Sequence, residues 1–372
     1  MAHPLPRRRA DARAPLTGPG SPDQPSPMSQ LSELPAQPAG VPWPTGEWTT
    51  GPLRVRDAAG LSALIEEAFA APDTERLGET HALVIVQGGR LVLERYNDGY
   101  GPDQTYPSWS KAKSITHALT GLLVDDGRLD IHAPADVPEW RTEPGDPRAA
   151  ITLDQLLRMS SGLAFVEDYV PGHVSDVIEM LFGAGKADVA HYAASRPLAH
   201  PPGTFWSYAS GTTNIVARCA ARALGVDAAG FEAFMRERLF EPIGMRSAIP
   251  KFDAAGTFIG SSFCFATARD FARFGLLYLR GGRWDERQIL PRDWVDYART
   301  QTPQPAEREG DYGAHWWLNL AGPGSFSANG YEGQYTVAVP DLDLVLVRHG
   351  KTPLAKKDAV KAWIADVADS FR

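Results

Sequence analysis

Cysteine is nearly absent: the 372 residues hold two, Cys219 and Cys264, each alone in an apolar or mixed run. With no Cys-x-x-Cys pair, neither a zinc ribbon nor a disulfide framework is expected, and two buried free thiols are. The nine histidines include no pair at i, i+4 around a glutamate and none beside a cysteine or carboxylate pair at ligand spacing. No metal and no cofactor is therefore expected. A basic excess is missing too: 37 Lys and Arg stand against 45 Asp and Glu, a net charge of −8. That balance excludes the clustered basic face which nucleic acid or an anionic membrane requires. No apolar run approaches the ~18 residues of a membrane span. Arg7, Arg8 and Arg9 have no apolar run behind them, so membrane insertion and a standard secretory signal are not expected, and a cytoplasmic location is. The Gly-x-Ser-x-Gly elbow of the α/β-hydrolases is also lacking.

What the chain does have is 43% hydrophobic residues, enough for a substantial core. Residues 1–45 are rich in Pro, Ala, Gly and Ser with few large apolar side chains, and are expected to form a disordered tail. Met28 within them is a second candidate start. Residues 46–372 are expected to form one domain. In it, HALVIVQGGRLVLERY (81–96) reads as two strands joined at Gln87-Gly88-Gly89-Arg90. Ser110 stands at the start of a helix marked by Ile115, Leu119, Leu122 and Leu123 and stopped at Asp125-Asp126-Gly127. Helical segments at 152–159, 187–195, 211–224 and 231–239 suggest a helical subdomain over roughly 120–255. A further helix at 267–280, two strands within 337–350 and a last helix from about Ala355 complete the pattern. Strands at both ends with helices between indicate an α+β fold, an antiparallel sheet flanked by helices.

Two Ser-x-x-Lys tetrads overlap in PSWSKAKSIT: Ser108 with Lys111, and Ser110 with Lys113. On a helix, i and i+3 face the same way, so a lysine one turn on places its ammonium beside the serine hydroxyl. The serine's own N–H, at the open helix end, is then available to a developing oxyanion. Further along, Pro201-Pro202-Gly203-Thr204 is followed by Tyr208-Ala209-Ser210 and a helix, and Ala328-Asn329-Gly330-Tyr331-Glu332-Gly333-Gln334-Tyr335 lies before the last strands.

SKAKSIT with its Asp-Asp-Gly stop resembles the nucleophile helix of the serine β-lactamase and penicillin-binding-protein superfamily, in particular its 6-aminohexanoate-dimer hydrolase and esterase branch. The likeness runs over roughly residues 80–350 and keeps the family register for Ser110 and Lys113, not for Ser108 and Lys111. It implies a β-lactamase/transpeptidase-like fold, Ser110 as nucleophile, Lys113 and Tyr208 as its proton-handling partners, and backbone N–H groups of Ser110 and Tyr331 as oxyanion donors. It further implies that Tyr169 sits over the substrate, and that Ser210, Trp109, Asn329 and Gly330 border it. Trp206, Trp316 and Trp317 are candidates to line an apolar acyl pocket. The family's third motif, usually Lys-Thr-Gly or His-x-Gly, is replaced here by Ala328-Asn329-Gly330, while His349-Gly350-Lys351-Thr352 imitates a motif without fitting one. Lacking that cation, the chain is expected to act on a small-molecule acyl substrate, an ester or short linear amide. The alternatives are a β-lactamase or D,D-peptidase, an acyltransferase, and a catalytically silent binding protein of the same fold. Either Lys113 or Tyr208 can serve as base.

Overall fold

The computed structural model describes residues 31–70, 73–170, 172–304 and 311–372; residues 1–30, which hold most of the expected tail and Met28, lie outside them. The centre is a six-stranded sheet. Its strands are β1 (Glu79–Gln87), β2 (Arg90–Tyr96), β3 (Trp317–Leu318), β4 (Phe326–Gly330), β5 (Gln334–Val339) and β6 (Leu344–Lys351). They run in the order β2-β1-β6-β5-β4-β3 with every neighbour antiparallel. The β1–β2 turn forms where it was expected: Gly88 and Gly89 both take positive φ, 57° and 69°, the backbone a two-residue hairpin needs and that glycine adopts without strain.

Because side chains alternate across a strand, β1 feeds two cores. Ala82, Val84 and Val86 point to one face, where α2 (Ala112–Asp125) and α4 (Ala268–Leu279) pack; Leu83 and Ile85 point to the other. That second face is covered by α1 (Ala58–Phe69) and α5 (Lys357–Asp369), through Leu61, Ile65, Trp363 and Ile364. The whole run Ala82–Val86 is inaccessible to solvent, as befits a central strand covered on both sides. A separate core joins α3 (Ser210–Leu224) to short helices at Leu153–Leu157, Asp176–Phe182 and Val189–Ala194. The helix Asp176–Phe182 was not foreseen; it is only two turns long, and it starts on a Ser175 cap.

Residues 31–45 depart from expectation. They belong to the folded unit Leu31–Arg372, with Leu34 buried. Arg273 donates to the carbonyls of Pro44 (2.6 Å) and Gly46 (2.5 Å), Arg280 to Gln37 (2.9 Å), and Trp284 to the Thr45 hydroxyl (2.7 Å). A proline-rich segment has few backbone donors of its own. Here carbonyls of Pro44 and Pro35 (3.3 Å) are satisfied by Arg273 of α4 and by Arg280 just beyond it, from more than 200 residues away, which local composition does not reveal.

Candidate active site

Ser110 sits in a single 3₁₀ turn, Trp109–Lys111, that runs into α2. Trp109 holds φ at 43°, a conformation that costs an ordinary residue on the order of 1–3 kcal/mol and needs surrounding structure to hold it. That structure is present. Ser108 donates to the Ser262 carbonyl (3.0 Å) and accepts from the Cys264 N–H (2.9 Å), while Thr116 donates to the Gly260 carbonyl (3.0 Å). The 260–264 segment is thus stitched along the turn and the helix. On the other side β4 approaches so closely that a Cβ on Gly330 would lie 2.4 Å from the Ser108 carbonyl oxygen. Glycine is required there for lack of space.

Lys113 is 2% exposed. Its Nζ lies 3.0 Å from Ser110 Oγ, 2.9 Å from Ser210 Oγ and 3.1 Å from the Ser261 carbonyl oxygen, and 4.8 Å from the centre of the Tyr208 ring. Burial, which disfavours the ammonium, pulls Lys113 down to about 8, with the nearby Glu167 carboxylate pulling the other way. Glu167 is the residue whose part in the site the sequence did not reveal. Its Oε2 accepts from the Ser210 N–H (2.7 Å) at the start of α3, and its Oε1 accepts from the hydroxyls of Ser210 (2.7 Å) and Tyr169 (2.7 Å). A carboxylate at a helix N-terminus is favoured by the orphan N–H groups there. Only its place two residues before Tyr169 was a signal.

These groups open into a cavity of about 950 Å³ whose lining includes Ser110, Glu167, Tyr169, Tyr208, Asn329 and Tyr331. Tyr208 is packed against Trp317, Tyr312 and Trp206 at centroid distances of 5.4, 6.1 and 6.4 Å. Tyr169 stacks on Tyr331 at 4.7 Å, and burial beside Glu167 drives its phenol far above the ordinary tyrosine range. Gly330, Trp206 and Trp317 also line the cavity. Trp109 and Ser210, expected to border the substrate, do not. Trp109 packs behind Tyr331 and Phe263, and Ser210 is fully buried with its hydroxyl between Lys113 and Glu167. Trp316 is likewise core, against Tyr278, Phe274 and Phe326.

The competing tetrad comes apart. Ser108 is wholly buried and committed to backbone, and Lys111 points away from it into the core, beside His349. His349 itself, from the motif-like 349–352 run, is on β6 with its side chain in the core and is not in the cavity lining.

Comparison with known proteins now decides the family, since the Beta-lactamase family model matches residues 67–368. The chain belongs to the beta-lactamase family. That family is of serine-hydrolase type. Among relatives, this beta-lactamase-family chain is 27% identical over 308 residues to the 6-aminohexanoate-dimer hydrolase of Paenarthrobacter ureafaciens, covering 77% of each chain. Solved structures share the β-lactamase/transpeptidase-like fold. A Bacillus anthracis protein provisionally assigned as a 6-aminohexanoate-dimer hydrolase superposes with TM-score 0.71 at 22% identity, over 92% of this chain and 91% of that one. EstA of Arthrobacter nitroguajacolicus Rue61a does so with TM-score 0.59 at 19% identity, over 84% and 96%.

Proposed function

We propose that this beta-lactamase-family protein hydrolyses esters or short linear amides through an acyl-enzyme on Ser110, with Lys113 as the base. The observation that carries the reading is the set of oxygens around Lys113 Nζ. The Ser261 carbonyl can only accept. The Ser210 hydroxyl gives its hydrogen to Glu167, so toward Lys113 it accepts as well. A neutral amine has two N–H bonds and one lone pair. Both N–H bonds are used by these oxygens, which leaves the lone pair for the Ser110 hydroxyl 3.0 Å away. With Lys113 at about 8, on the order of a tenth of the molecules carry the neutral amine at pH 7. Tyr208, its ring beside that amine, serves to pass the proton on to the leaving group. The N–H groups of Ser110 and Tyr331 hold the oxyanion, and water then releases the acyl group.

Support for the substrate class comes from the cavity and from the relatives. At the third-motif position stands Asn329, which brings no charge, and the walls near Tyr208 are aromatic. One observation favours a carboxylate-bearing substrate such as a β-lactam: Lys357 and Lys361 also line the cavity. Steady-state rates with p-nitrophenyl butyrate, a linear 6-aminohexanoate dimer and nitrocefin separate the two. The proposal expects turnover of the ester or the dimer, lost in Ser110→Ala, with nitrocefin far slower; preferential nitrocefin turnover reverses the assignment.

A further inference from the structure

A buried polar chain that the proposed reaction does not use lies behind the cavity floor. Lys111 follows Ser110 directly, yet its side chain runs into the core between α4 and the sheet and is 1% exposed. Its Nζ lies 3.3 Å from the centre of the Phe271 ring, 3.1 Å from His349 Nε2 and 3.4 Å from Thr336 Oγ1. No carboxylate is among these partners. His349, fully buried against the rings of Tyr106 and Phe271, has its Nδ1 3.0 Å from Gln334 Oε1. The Gln334 amide nitrogen donates to the carbonyls of Tyr331 (3.2 Å), Glu332 (3.2 Å) and Gly350 (2.5 Å).

The fixed ends of this chain set the direction of every proton. The Gly350 N–H can only donate, and it meets Gln334 at Oε1 (3.2 Å); three carbonyls can only accept, and they meet Nε2. These backbone groups distinguish the amide's oxygen from its nitrogen, and His349 meets the oxygen. An oxygen opposite His349 Nδ1 requires the hydrogen there, which leaves Nε2 of the neutral ring to accept from Lys111. Burial pushes both His349 and Lys111 well below their ordinary ranges, in keeping with a neutral ring.

We infer that Lys111, His349 and Gln334 form a positioning relay that fixes the Tyr331 turn against the Ser110 turn and so sets the spacing of the two oxyanion N–H groups. The relay begins at the residue after the nucleophile and ends on the carbonyl of Tyr331. The turn is also held from the adjoining strand, where the Gly333 carbonyl accepts from Arg348 (2.7 Å) and the Glu332 carbonyl from the Thr352 N–H (3.0 Å); the relay is the support that reaches back to the Ser110 turn. The inference rests on the proposed roles of Ser110 and Tyr331. A displaced oxyanion donor reduces turnover and leaves ground-state binding alone. A buried lysine without counter-charge is also costly to the fold, so an apolar side chain of equal length fits the same space.

The test is Lys111→Met, with His349→Leu and His349→Gln beside it, each measured for p-nitrophenyl butyrate kinetics and thermal melting. Lys111→Met and His349→Leu are expected to lower kcat by about tenfold or more with KM within about twofold and the melting transition retained. His349→Gln, whose amide can accept from Lys111 and donate to Gln334, is expected to recover most of that loss. If kcat in Lys111→Met and His349→Leu stays within about twofold of wild type, the relay is overturned. If Lys111→Met gives no melting transition, the His349 pair decides, and equal rates in Gln and Leu overturn it. Fluorophosphonate labelling of the wild type separates the two levels: an unlabelled wild type rejects the nucleophile itself, whereas a labelled wild type with unaffected variants rejects only the relay.

Discussion

Glu167 and Lys113 are joined through a single hydroxyl: Ser210 Oγ accepts from Lys113 Nζ at 2.9 Å and donates to Glu167 Oε1 at 2.7 Å. The carboxylate thereby fixes which way the hydroxyl hydrogen points, and its charge favours the ammonium. The groups facing Lys113 are Ser110, Ser210, the Ser261 carbonyl, Tyr208 and Glu167, with His315 close enough to be lowered by it. If the neutral amine is the base, kcat/KM rises with pH with a midpoint of about 8. Removing the Glu167 charge lowers Lys113 further, so in Glu167→Gln the rising limb moves to lower pH. A pH–rate profile of both proteins checks this, and a limb at the same pH in the two contradicts it.

The two serines of the overlapping tetrads are expected to fail differently. Ser110→Ala loses turnover and folds normally. Ser108→Ala retains Ser110, but strips partners from the Ser262 carbonyl and the Cys264 N–H, which costs about 1–3 kcal/mol. Chemical denaturation and ester turnover of the two variants distinguish the roles.

Gly330→Ala places a methyl 2.4 Å from the Ser108 carbonyl oxygen and 3.1 Å from the Trp109 Cβ. Either β4 or the Ser110 turn has to retreat. Since ångström-scale misplacement costs on the order of a hundredfold in rate, kcat is expected to fall by about that much while the fold persists. Turnover within about twofold of wild type contradicts the tight approach.

Acid stability follows from buried imidazoles. Burial, with Arg158 adding to it, holds His117 down at about 3, and His315 and His349 are also well below the usual range. In the unfolded chain each takes up a proton near 6.5. Between those values the unfolded state binds more protons, so the imidazoles leave stability unaffected above about pH 6.5 and lower it as pH falls below that. His117 alone contributes a slope of about 1.4 kcal/mol per pH unit. Urea denaturation at pH 7.5 and pH 5 measures it, and equal stabilities at the two pH values contradict the burial argument.

How legible this was in the sequence depended on range. Ser110, Lys113 and the Asp125-Asp126-Gly127 stop lie along α2 and the 3₁₀ turn that leads into it, where spacing largely determines what faces what. The Gly88-Gly89 turn is equally local. Glu167 bonds to Ser210 across 43 residues and Lys111 to His349 across 238; such partners are chosen by the fold, so no local pattern marks them. The strand Phe326–Gly330, FSANG, alternates apolar and polar residues, but it is only five residues long and ends in Asn-Gly, which are depleted in strands and read as a turn. Its composition answers instead to the close passage beside Ser108. Residues 31–45 looked like a tail because their partners are Arg273 of α4 and Arg280 just beyond it, far along the chain.

The central claim is a covalent acyl intermediate on Ser110, and intact-protein mass spectrometry tests it most directly. The full chain is incubated with a fluorophosphonate and with p-nitrophenyl butyrate, alongside Ser110→Ala and Ser108→Ala. One adduct on the wild type and on Ser108→Ala, absent from Ser110→Ala, is the predicted result. An adduct that survives in Ser110→Ala, or no adduct on the wild type, contradicts the account.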